Sequence, residues 1–210
     1  MKRKVHSLID KVYSRKNLEL AWEKVKSNRG SAGIDEVTIA QFEAGKEAYL
    51  DLLQRKLREG TYRPQPVKRV KIPKSDGGHR KLGIPAVIDR GCQQALVQRM
   101  EPIFEPTLQD CCFGYRKGRS PHDAMRKVWR ELQAGYGWIV DADLRQYFNS
   151  IDHRRLEETL RTKIQDKRFM RYIHRMLKAG VLAEGERTVT EEGVAQGSMC
   201  SPILANIFAH

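Results

Sequence analysis

GTYRPQPVKRVKIPKSDGGHRKLGIP (residues 60–85) contains four prolines and sets Val67, Val70 and Ile72 among cations. That texture predicts two short strands around Ser75-Asp76-Gly77-Gly78, a loop whose glycines supply the positive φ a hairpin needs. The hairpin interrupts a chain that otherwise reads largely as helix, so the fold class expected is α+β.

Toward the N-terminus, Leu8, Val12, Leu18, Trp22 and Val25 recur at roughly helical spacing, which predicts a helix over residues 3–28. NRGSAGID (28–35) is a Gly-rich break, and Asp35 to Phe42 opens another helix. Residues 47–59 place Leu50, Leu53 and Leu57 on one face, with Gly60 as the C-terminal stop. Toward the C-terminus, DRGCQQALVQRME (89–101) reads as a helix ended by the EPIFEP turn. FGYRKGRSPHDAMRKVWRELQ (113–133) reads as a basic loop feeding a helix with Ser120 as N-cap and Pro121 at the first helical position. GWIVDADLRQYFNSIDH (137–153) begins as a strand, residues 153–178 are helical and basic, 181–193 form a second hairpin, and 194–210 run from a loop into an apolar helix.

The 210 residues carry 39 Lys and Arg against 26 Asp and Glu, a net charge of +13. Such a surplus favours a polyanion, because each phosphate contact releases condensed counterions. With 40% hydrophobic residues the chain can bury a core. It has no apolar run near the about 20 residues that span a bilayer. The basic opening MKRK has no apolar segment behind it, which argues against a secretory signal. Cys92, Cys111, Cys112 and Cys200 show no zinc spacing and are expected to be reduced thiols of a cytoplasmic protein, with nucleoid association a further expectation.

On a strand, WIVDADL would turn Asp141 and Asp143 to one side, roughly 7 Å apart, with Val140, Ala142 and Leu144 facing the core. Two carboxylates on one face suit a hard divalent cation; two solvated surface acids fit the same pattern. The succession of blocks decides between them. IPKSDGGHRKLGIP (72–85), FGYRKGRSPHDA (113–124), VDADLRQYFNSIDH (140–153) and AQGSMCSPILAN (195–206) resemble, in order and spacing, the blocks of group II intron reverse transcriptases. WEKVKSNRGSAGID (22–35) is similar to the N-terminal extension of that family.

The resemblance implies the fingers and an incomplete palm of a right-hand polymerase. Residues 1–35 would be the helical extension, 36–90 and 155–193 the fingers, and 91–154 and 194–210 the partial palm, with no thumb or maturase region. It makes Asp143 the catalytic metal ligand for Mg²⁺, joined by the backbone carbonyl of Leu144 and secondarily by Asp141. Lys74 and Arg80 would hold the dNTP triphosphate, Phe148 would crowd the sugar 2′ position, and Gln196 would lie by the nascent base pair. Arg63, Lys68, Arg69, Lys71, Tyr115, Arg116, Lys117, Arg119 and Gly197 would line the RNA template. Ala195 stands where Pro is usual in the family, and Ser198-Met199 where small residues are frequent. Asp152 is expected to cap the helix beginning at His153.

The partners so implied are an RNA template, structured intron RNA, a DNA primer or target and a dNTP, with no membrane. The Y-x-D-D motif of the family is missing, since no two aspartates are adjacent in the chain. The expectation is therefore a polymerase fragment that is inactive alone. An intron-RNA-binding, maturase-like module is the alternative, as is a retron, diversity-generating or CRISPR-associated reverse transcriptase. Ile203, Leu204, Ile207 and Phe208 are expected to form an open apolar end that favours a homodimer.

Overall fold

Trp22 is wholly buried, and its ring stacks on Phe42 at 4.3 Å, which stacks in turn on Tyr49 at 4.5 Å. This aromatic column gathers the N-terminal helices in the computed structural model, which describes residues 4–73, 77–183, 185–189 and 191–210. Instead of one helix over 3–28, the chain forms α1 (Ile9–Val12) and α2 (Arg15–Ser27), parted at Tyr13-Ser14. The break lets both pieces bury their apolar sides, Ile9 and Val12 from the first and Leu18, Ala21, Trp22 and Val25 from the second. α3 (Ile39–Ala44) begins later than the sequence suggested, because Thr38 and Gln41 form a reciprocal capping box. α4 (Lys46–Glu59) ends as expected, on Gly60 in the left-handed region with φ +79°.

The hairpin forms as read: β1 (Val67–Pro73) pairs antiparallel with β2 (His79–Ile84). β3 (Val181–Ala183) joins β1 in parallel and β4 (Glu186–Thr188) returns antiparallel, giving the order β2-β1-β3-β4. Helices and a four-stranded sheet together make up the fold, so the α+β expectation holds.

α5 (Val87–Phe104) is the central helix and runs through Pro102 beyond the turn expected at residue 101, because Phe104 is buried with Met100. Buried polar groups lock it to α2. The Asn17 amide donates to the carbonyls of Val12 at 2.9 Å and Ala95 at 3.1 Å, and accepts from Gln98 at 2.8 Å.

α6 (Pro121–Gln133) opens on a second capping box, Ser120 with Asp123. α7 (His153–Arg161) and α8 (Lys167–Leu177) divide the basic helical stretch, and Asp152 caps α7 as anticipated, accepting from the Arg155 N–H at 2.7 Å. Asp166 does more than cap α8. Its carboxylate accepts from the Arg168 and Phe169 N–H groups and also from Leu8 and Ile9, joining α1 to α8, and these bonds hold its pKa below the usual value although burial opposes them.

Several cations counted in the +13 are internal cross-links. Arg168 and Arg175 on α8 donate to the carbonyls of Leu57, Arg58, Gly60 and Tyr62, which closes the C-terminal end of α4. Arg15 bonds Glu19, Glu47 and Asp51.

The apolar end was expected to be open and is not. α9 (Ser201–Ala209) packs against α7 and α5, burying Ile203, Leu204 and Ile207, with Phe208 half-buried beside Tyr147. A helix apolar on all sides is an interior helix. The uncovered surface lies on α6, where Met125, Val128, Trp129 and Leu132 form an i, i+3, i+4, i+7 stripe, and on Tyr136, Trp138, Ile139, Val140 and Leu144.

Candidate nucleic-acid interface

Residues 193–206 are the hub to which the other motif blocks attach. The Gly83 N–H of β2 donates to the Gln196 carbonyl at 2.7 Å. The N–H groups of Gly193 and Val194 donate to Ile151 and Phe148 at 2.8 and 2.7 Å, and the Tyr147 hydroxyl donates to Ala205 at 2.7 Å. The Asn206 amide donates to the Gly114 carbonyl at 2.9 Å. Segments separated by up to about a hundred residues therefore meet through main-chain groups, to which the Tyr147 hydroxyl and the Asn206 amide add side-chain donors.

Gly197 is where this meeting demands glycine. Its φ is +108°, and a Cβ there would lie 2.6 Å from the Gly83 carbonyl. The residue is required by close packing on the hairpin, whatever else approaches it. The loop beyond it is held by Gln93 of α5, whose side-chain oxygen accepts from the Ser198 hydroxyl at 2.9 Å and the Met199 N–H at 3.0 Å. The Cys200 thiol donates to the Gln93 carbonyl at 3.3 Å. Gln93 was not among the residues singled out from the sequence, since its role depends on the Ser198-Met199 loop that packs on it. Asp89, one turn earlier, was also missed. It is buried, accepts from the Tyr62 hydroxyl and the Gln65 N–H, and has its pKa raised to about 6 by burial.

Beside the hub lies a cleft of about 550 Å³, lined on the sheet side by Arg69, Lys81 and Gly83 and on the hub side by Gln93, Gln196 and Ser198. Asn149, Asp152, Glu191 and Glu192 close its far wall. Of the hairpin cations, Arg63, Lys68, Arg69, Lys71 and Arg80 are exposed. Lys74 lies outside the described residues.

The FGYRKGR loop divides. Arg116 is buried and is not free for a template: it is paired with Glu105 at 2.6 Å and donates to the Gln109 and Cys112 carbonyls. Arg119 bonds Asp110 and lies over the Phe113 ring. Lys117 is exposed, as is Tyr115, which adopts a positive φ of 56° and meets Phe148 edge-on at 6.1 Å. Phe148 is half-buried between Tyr115 and Tyr147, which fixes its ring against the hub.

The strand expected from residue 137 is absent, and so is the burial of Val140, Ala142 and Leu144. Trp138 and Val140 are 98% and 92% exposed. Among the described residues no backbone hydrogen bond joins 137–145 to another segment. A strand exists only through its neighbour's ladder, and this segment has none to join here. Asp141 and Asp143 are exposed on it, and no group of three metal-ligating side chains forms among the described residues. Two carboxylates and the Leu144 carbonyl are the hard oxygen donors Mg²⁺ takes, but as a set they fall short of closing its shell.

Comparison with known proteins agrees with this geometry. The family model described as "Reverse transcriptase (RNA-dependent DNA polymerase)" matches residues 72–210. The chain is 39% identical to Protein YkfC of Escherichia coli over 83% of its length and 47% of the relative's. It is 36% identical to the group II intron-encoded protein LtrA of Lactococcus lactis over 91% of its length and 32% of the relative's. It thus spans less than half of either relative. A solved chain of a Cas6-RT-Cas1–Cas2 complex superposes with a TM-score of 0.63 over 97% of this chain and 34% of the other, at 19% identity, which is a likeness of fold. Among the described residues no helix is long and apolar enough to cross a membrane. The chain belongs to the reverse transcriptase family, and within it to the group II intron type.

Proposed function

We propose that residues 1–210 are the RNA- and nucleotide-gripping part of an RNA-directed DNA polymerase encoded by a group II intron, and that they do not polymerise by themselves. The observation that carries this reading is the convergence of the family's blocks on residues 193–206, around a cleft with cations on one wall and the Gln196-Gly197 loop on the other. In this reading 1–35 is the extension, 36–90 with 155–193 the fingers, and 91–154 with 194–210 the partial palm. Lys74 and Arg80 neutralise the triphosphate, Gln196 lies along the nascent pair, and Phe148, held by Tyr115 and Tyr147, crowds the 2′ position. Arg63, Lys68, Arg69, Lys71, Tyr115 and Lys117 face the template, while Arg116 and Arg119 shape the loop that presents Tyr115 and Lys117. Asp143, with Asp141 and the Leu144 carbonyl, supplies part of a Mg²⁺ shell. When bound, that ion would lower the pKa of the primer hydroxyl and stabilise charge on the transferred phosphate.

The test is primer extension on a primed RNA template with the purified chain, dNTPs and Mg²⁺. No incorporation above background is expected. Incorporation that Asp143→Ala abolishes would overturn the claim of incompleteness. A maturase-like role is the second reading, favoured by the basic exposed side of α2; preference for structured intron RNA over primer–template would select it.

A further inference from the structure

Gln93 is only 5% exposed, yet with Ser198 it lines the 550 Å³ cleft. Its side-chain amide has one orientation. The Met199 main-chain N–H, 3.0 Å away, can only donate, so the atom it meets is Oε1, which also accepts from the Ser198 hydroxyl at 2.9 Å. The two donors of the amide nitrogen are left over. Among the described residues that nitrogen has no hydrogen-bond partner, but it is not one of the fully enclosed orphans, Arg90 Nε, Arg99 Nε and His153 Nδ1. It is a donor fixed in place, unused by the fold, on a residue that borders the cleft.

Ser198 supplies the complement. Its hydroxyl commits its single proton to Gln93, so it has only oxygen lone pairs to offer a ligand. A donor and an acceptor therefore stand side by side at the cleft. A phosphate oxygen accepts only and satisfies one of the two. A hydroxyl both accepts and donates, so it satisfies both. In a nucleotide the hydroxyls belong to the sugar. Phosphate has partners of its own in the cleft, Arg69 and Lys81 of the sheet.

We propose that Gln93 and Ser198 form a receptor for a sugar hydroxyl, whose oxygen accepts from the Gln93 amide and whose proton goes to Ser198 Oγ. The family resemblance gives neither residue a role, and Ser198 lies where this chain departs from the family's usual residues. The inference rests on the reading that the cleft binds nucleic acid. The hydroxyl has two sources, the 2′ position of a template ribonucleotide and the 3′ position of a dNTP, and two measurements separate them. Fluorescence anisotropy compares a labelled RNA with its 2′-deoxy counterpart over several sequences, and calorimetry compares a dNTP with its 3′-deoxy form. Both use the whole chain, Gln93→Glu and Ser198→Ala. Gln93→Glu keeps an oxygen for Ser198 and Met199 but loses the amide donor. Ser198→Ala keeps the Met199 bond but loses the acceptor, and it decides alone should Gln93→Glu fail to fold. Because the new carboxylate repels any nucleic acid, the readout is the ratio of affinities with and without the hydroxyl. The wild type is expected to prefer the hydroxyl-bearing partner, and each variant to cut that preference about fivefold for every sequence. A loss in the RNA ratio places the hydroxyl on the template, and a loss in the nucleotide ratio places it on the dNTP. Folded variants that bind with both ratios unchanged overturn the receptor and leave the nucleic-acid reading standing. An effect confined to certain sequences assigns the pair to a base edge and overturns it as well. A wild-type chain that binds neither RNA nor dNTP removes the receptor and the nucleic-acid reading together.

Discussion

Asp89 shows how one buried carboxyl sets a pH dependence. Its pKa rises from 3.8 to about 6 because burial disfavours the charged form more than the bonds from Tyr62 and Gln65 favour it. A group whose pKa is raised by folding contributes stability that is fully present below the unfolded value and is lost as pH climbs through the folded one. The window here is pH 4 to about 6, and the shift corresponds to a change on the order of 3 kcal/mol. Urea unfolding of the wild type and of Asp89→Asn across that window checks it. The stability difference between them should move toward the Asn variant by about 2–3 kcal/mol as pH rises from 4 to 7.5. A difference that stays constant with pH would place the titration elsewhere. Asp89 was illegible in the sequence because nothing local separates it from an ordinary first-turn acid. Burial is a property of the fold.

At the scale of elements, what the sequence revealed were features with local causes: the hairpin from its turn residues, the stop at Gly60, the Ser120 and Asp152 caps, and the apolar character of α9. What it hid depends on distant partners. Residues 137–144 have the composition of a buried strand but lie uncovered and outside any strand, and Arg116 has the look of a phosphate ligand but is buried and paired with Glu105. Of the candidate site, the blocks themselves were legible; the Gln93 anchor and the division of hairpin cations between two faces were not, since both require the register and packing to be known. The stripe Met125, Val128, Trp129 and Leu132 on α6 is an exposed apolar surface of the kind that drives association, and Trp138 and Val140 are exposed as well. Self-association is expected there and not at α9. Light scattering of the chain should show dimers or larger species at micromolar concentration, and Trp129→Glu should shift them toward monomer. An Ile207→Ala change should instead cost stability by about 2–4 kcal/mol, since it opens a cavity in the core. A monomeric wild type would refute the assignment.

At the scale of the whole molecule, one core welds the N-terminal helices to α5, and α5 carries the hub loop through Gln93, so extension, hairpin and hub are mechanically continuous. Several of the basic residues are internal cross-links, and of the hairpin cations Arg69 and Lys81 border the cleft. The central claim is that the motif blocks form a single RNA-gripping surface around that cleft. Amide hydrogen exchange with and without a primed RNA template tests it directly. RNA should slow exchange together in residues 67–73, 79–84, 113–119 and 193–199, and leave α3 and α4 unchanged. Protection confined to the N-terminal helices, or absent from the hairpin and the 193–199 loop, would contradict it.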